Sequence, residues 1–111
     1  MRDIKFRAWS TIRKPKMIEW KDLRGSPAVD IFEESEEWKV MQFTGLHDKN
    51  GKEIYEGDIV TTYGQNPDTI IFASGCFYLE NAMQFYEATY WGDELEIIGN
   101  IYENPELLKS V

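Results

Sequence analysis

Cysteine and histidine are nearly missing from this chain, which has one of each, Cys76 and His47, in 111 residues. A single cysteine forms no intrachain disulfide and no Cys-x-x-Cys metal knuckle. A single histidine leaves a transition-metal site short of the three or four protein ligands it usually needs. No apolar run approaches the ~20 residues of a membrane-crossing helix, and the N-terminus MRDIKFRAW lacks the apolar stretch of a signal peptide. A cytoplasmic protein is expected, with no membrane partner. Neither a Walker loop nor GxGxxG is present, so the common phosphate cradles are excluded. Basic residues are also scarce, twelve Lys and Arg against twenty Asp and Glu, for a net charge of -8. A sequence pI near 4.6 makes nucleic acid an unlikely partner.

What is present suits one β-rich domain spanning residues 1–111. Apolar residues make up 42% and aromatics 14%, enough for a single modest core. Charge is divided unevenly: residues 1–24 hold eight basic and three acidic residues, and residues 25–111 hold four basic and seventeen acidic. A basic hairpin over 1–24 beside an acidic, barrel-like body over 38–103 is the simplest reading, since opposite charge relieves the chain's own repulsion. Ile4 to Trp9 alternates as a half-buried strand, with Ile4, Phe6 and Ala8 on one face and Lys5, Arg7 and Trp9 on the other. MIEW at 17–20 reads as its return strand. The polar segment 22–37 reads as a long loop or short helix, and Glu33, Glu34, Glu36 and Glu37 lack the alternating oxygen ligands and glycine of a calcium loop.

The stretch VMQFTGLHDKNGKEIYEGDIV, residues 40–60, gathers His47, Asp48, Glu56 and Asp58 as an active-site loop would. Each has a plainer reading. Asn50-Gly51 suits the positive φ of a hairpin turn. Gly57 suits a left-handed corner before the strand at Ile59-Val60. Asp48 and Asp58 suit bonds to the backbone N–H groups of their own turns. Further strands are expected at Thr69–Ala73 and Cys76–Leu79 around Ser74-Gly75, and at Leu95–Tyr102. A short terminal helix is expected with Asn104 as its cap, Pro105 at its first position and Glu106 in its first turn. Cys76, at a strand start, reads as a small buried hydrophobe. Residues 80–94 are ambiguous between helical and strand spacing.

KFRAW, MQFTGLHDKNGKEIYEGDIV and LEIIGNIYENPELL, taken in this order, make the chain similar to the YopX family of bacteriophage and prophage proteins. Segments 21–37 and 80–94 read as its variable parts. Ser10 departs from the acidic residue common after RAW, and His47 stands where lysine is frequent. The resemblance implies a mainly β, small, partly open SH3-like barrel with an N-terminal hairpin and a short C-terminal helix. It implies no enzymatic activity, catalytic residue, metal or cofactor. Its signature is rich in turn and cap formers: Gly45, Asp48, Asn50, Gly51, Gly57, Asp58, Gly99, Asn100, Asn104 and Pro105.

The expected function is non-enzymatic binding of an unidentified host or phage protein through aromatics of the variable segments. The candidates are Trp20, Phe32, Phe85, Tyr86, Tyr90 and Trp91. The same rings would alternatively bury themselves in a homo-oligomer. A second reading is an acidic, polyanion-mimicking inhibitor of a host nucleic-acid enzyme.

Overall fold

The computed structural model describes residues 4–11, 15–23, 38–62, 66–80 and 94–108. Eight strands lie among them: β1 (Phe6–Ser10), β2 (Lys16–Ile18), β3 (Trp38–His47), β4 (Glu53–Tyr55), β5 (Asp58–Thr62), β6 (Asp68–Ala73), β7 (Cys76–Leu79) and β8 (Leu95–Asn100). A four-residue helical turn, α1 (Trp20–Leu23), and a 3₁₀ turn, Pro105–Leu108, complete the described elements. The chain is mainly β, as expected. It divides into two compact units, Met1–Phe43 and Thr44–Val111.

In the first unit, β1 pairs antiparallel with β2 on one side and β3 on the other, with Ala8 opposite both Ile18 and Val40. Ala8 is fully buried, and Phe6, Ile18, Trp20 and Val40 pack against it. Its small side chain fits where strands on both sides crowd in. The strand begins two residues later than the alternation predicts, leaving Ile4 70% exposed. Arg7, expected on a solvated face, is buried. The return strand is also shorter than MIEW. It ends at Ile18, and Trp20 opens α1, which brings its ring within 6.1 Å of Phe6 at a tilt of 59°.

In the second unit, β7-β6-β5-β8 form an antiparallel sheet, and the last residues of β3 make a hairpin with β4. Together they build the expected partly open, SH3-like barrel around Ile54, Val60, Ile70, Phe77, Leu79 and Leu95, with Leu46 and Ile97 packed against them. Two irregularities bend the strands. Gly45 has φ 87° within β3, and the β5–β8 register slips between Ile59 and Val60. A register slip of this kind adds the local twist that curls a sheet.

Two buried threonines in this unit have opposite prospects. Beside the left-handed Gly45, the Thr44 hydroxyl donates to the Ile54 carbonyl at 2.7 Å and accepts the Leu46 N–H at 3.0 Å. It ties β3 to β4 at that point. The Thr69 hydroxyl is buried with no hydrogen-bond partner. Thr44→Val is therefore expected to cost about 1–3 kcal/mol, because it strands a buried donor and acceptor. Thr69→Val is expected to be neutral or to stabilise by up to about 1 kcal/mol, because it removes an unsatisfied group while keeping the branched shape. Urea denaturation of the two variants should move the midpoint in opposite directions, or leave the second unmoved; a loss for Thr69→Val matching that of Thr44→Val would refute the distinction.

Two expectations at the C-terminus are corrected. β8 stops at Asn100, not Tyr102, and the terminal helix is only a 3₁₀ turn. Asn104 does not cap it through its side chain. Its carbonyl accepts the Leu107 N–H at 3.1 Å, while its Oδ1 turns back to accept the Asn100 N–H at 3.2 Å. The side chain is thus spent on the end of β8.

Candidate functional site

The polar groups of the central stretch converge on main-chain N–H groups, beginning at Asp48. Asp48 closes the β3–β4 hairpin: its N–H donates to the Lys52 carbonyl at 2.8 Å, and the Gly51 N–H donates to the Asp48 carbonyl at 2.9 Å. This is a three-residue loop with a final glycine at φ 84°. Only Gly51 takes the left-handed conformation, not Asn50-Gly51 as a pair, because the third loop position alone requires it.

The Asp48 carboxylate, 4% exposed, does more than brace this loop. Oδ1 accepts the N–H groups of Asn50 and Lys52, both at 2.9 Å. Oδ2 accepts the Ile97 N–H at 3.0 Å, reaching a strand 49 residues away. Next to it, the Lys49 N–H donates to the Leu95 carbonyl at 2.9 Å, and the Lys49 ammonium lies 3.5 Å from the Glu96 carboxylate. Residues 48 and 49 therefore serve edge groups of β8 as a neighbouring strand would. Burial pushes the Asp48 carboxyl up, but the N–H donors of Ile97, Lys52 and Asn50 and the Lys52 charge outweigh it. The net effect holds the group below its ordinary 3.8.

Asp58 and Gly57 form the corner where the chain leaves β4 and enters β5. Gly57 has φ 88°. Asp58, 1% exposed, accepts the Tyr55 N–H through Oδ2 at 2.8 Å. The Gly57 N–H donates to the Ile70 carbonyl and its carbonyl accepts the Ile101 N–H. One corner thereby fastens three segments. At the end of β8, Asn100 Oδ1 accepts the N–H groups of Tyr102 and Glu103, and its Nδ2 donates to the Glu103 carboxylate at 2.9 Å.

The signature residues Asp48, Asn50, Gly51, Gly57, Asp58, Asn100 and Asn104 thus take part in a hydrogen-bonded frame of three local clusters. His47 ends β3 and is exposed, while Cys76 begins β7 and is half-buried rather than enclosed. No grouping of three or more His, Cys, Asp or Glu residues able to hold a metal occurs among the described residues. No helix among them is long and apolar enough to cross a membrane. Of the aromatic candidates, Trp20 is half-buried against Phe6. Phe32, Phe85, Tyr86, Tyr90 and Trp91 lie outside the described residues. Thr44 and Glu103 belong to the frame but carry no turn signal of their own. The reach of Asp48 to Ile97 is equally invisible in a linear sequence.

The sequence profile of the YopX protein family matches residues 5–109. No curated protein matches the chain. The crystal structure of protein EF1440 from Enterococcus faecalis is similar over 97% of this chain and 99% of that one, with 31% identity and a TM-score of 0.69.

Proposed function

Since the chain belongs to the YopX family, we propose that it is a phage or prophage accessory protein acting in the host cytoplasm as a non-enzymatic binding module. Its partner is a host or phage protein. The observation that supports this reading is the fate of the buried carboxylates Asp48 and Asp58. Asp48 accepts three backbone N–H groups, which hold its carboxyl below the ordinary value, and Asp58 accepts the Tyr55 N–H at its own corner. General acid-base work asks for the reverse, a carboxyl poised near the working pH beside a substrate.

The test is a tagged pull-down from host lysate with and without nuclease, read by mass spectrometry. A stoichiometric protein that survives nuclease is the expected catch. A catch that vanishes with nuclease would overturn the reading in favour of nucleic acid and the basic segment 1–24.

A further inference from the structure

The outer face of the β6–β7 hairpin carries an apolar depression that the hydrogen-bonded frame does not use. Side chains alternate along a strand, and Ile70, Phe77 and Leu79 turn into the core. Ile71, Ala73 and Tyr78 take the other face, where with Ser74 they line a depression of about 330 Å³. Ile71 stands opposite Tyr78, and Ala73 opposite Cys76, so the lining comes from both strands. The tip is a tight turn with φ 51° at Ser74 and 81° at Gly75, the paired positive values that match hairpin twist and keep such a tip rigid. Ala73 and Ser74 are exposed and Ile71 is half-buried. The volume lies at the low end of the roughly 300–1,000 Å³ of ligand pockets. A seat this open suits one or two anchoring side chains.

Charge narrows what would occupy it. From Glu53 to Leu108 the chain holds eleven Asp and Glu residues and no Lys, Arg or His. One of these acids stands on the depression's own face. Glu80 follows β7 two residues after Tyr78, its N–H bonded to the Thr69 carbonyl at 2.9 Å, whereas Asp68 falls on the Ile70 side of β6, where its Oδ1 accepts the Thr69 N–H at 2.8 Å. Four residues of strand at about 3.3 Å each separate Ala73 from Thr69, roughly 13 Å. An extended segment anchored at the tip reaches the Glu80 carboxylate about four residues along. Phosphate or an acidic segment would be repelled there, and a Lys or Arg attracted.

We propose that the β6–β7 depression seats an apolar side chain of a basic, extended segment of a partner protein, whose Lys or Arg meets Glu80. This rests on the binding-module reading and gives the partner its chemistry. The probe is a fluorescein-labelled nine-residue peptide with a central leucine and lysines towards both ends, followed by fluorescence anisotropy. Control peptides carry alanine for the leucine or glutamate for the lysines. Ala73→Lys fills the exposed mouth with a like-charged tail, and Glu80→Gln removes the acid; circular dichroism verifies that each variant folds.

The expected result is saturable binding that weakens with salt, is absent for the glutamate peptide, and falls at least about tenfold with Ala73→Lys or with the anchorless peptide. Absent binding, or equal binding with and without the leucine anchor or the Ala73→Lys change, would overturn the proposal. So would self-association seen by sedimentation in the wild type and lost in Ala73→Lys, since the occupant would then be a second copy. Repeating the pull-down with Ala73→Lys separates the two levels. A partner retained equally by both baits removes this surface but leaves the binding module; no partner on either bait removes the module itself.

Discussion

Asp48→Asn is expected to destabilise the protein by about 2–4 kcal/mol at neutral pH, although residue 48 lies beside an exposed hairpin loop. The carboxylate accepts three N–H groups, two in its own turn and one from Ile97. Hydrogen bonds to a charged group are worth about 1.5–3 kcal/mol each. An amide keeps one oxygen and sets a donor against the remaining N–H. The loss would consume much of the roughly 5–15 kcal/mol by which a domain is stable. Its pH dependence is distinctive. Because the folded carboxyl sits below its ordinary 3.8, the unfolded chain takes up the proton more readily. The contribution of Asp48 is therefore complete above the unfolded value and is lost as pH falls through the lower, folded one. Urea unfolding of wild type and variant should show a wide gap at pH 7 that narrows below about pH 4. A gap independent of pH would mean that the carboxylate charge is not the cause.

Gly99→Ala is the second large effect, and it comes from space. A β-carbon on Gly99 would stand 2.6 Å from the Asn104 Oδ1 and 2.8 Å from both its Cβ and Cγ. Rotating the asparagine cannot relieve this, because its own Cβ is among the obstructing atoms. Either the chain from Asn100 to Asn104 shifts, breaking the bonds that tie Asn104 to Asn100, or β8 leaves its register on β5. Overpacking of this kind costs about 1–3 kcal/mol, and loss of the Asn104 bond adds about 1 kcal/mol. A double-mutant cycle identifies the cause. Asn104→Gly is destabilising alone, but Gly99→Ala should cost much less in its presence. Full additivity of the two losses would place the conflict elsewhere.

These effects explain why much of the fold is legible in the sequence. Ser74-Gly75, Gly51 and Gly57 announce their turns because their backbone conformations exclude most residue types, and β7 begins and ends where its alternation does. Less is visible where tertiary contacts overrule local pattern. Trp20 continues the alternation of its strand, yet it opens a helical turn and its ring packs against Phe6. Arg7 follows the polar half of an alternating pattern in a strand with neighbours on both sides. Asn104-Pro105 has the form of a helix start, but the asparagine side chain is already bound to Asn100. The Asp48 bond to Ile97 joins parts of the chain whose sequences say nothing of each other. The depression at Ile71, Ala73 and Tyr78 is hidden for another reason: both faces of β6 are apolar, so alternation cannot say which one is covered.

Amide hydrogen exchange at Ile97, compared between wild type and Asp48→Asn, tests most directly whether the signature stretch is scaffold. If the carboxylate holds this edge of β8, Ile97 should be strongly protected in the wild type and lose protection selectively in the variant, ahead of amides bonded within the β6–β7 hairpin. Unchanged protection at Ile97 in a folded variant would contradict the account and leave Asp48 free for a role in binding or chemistry.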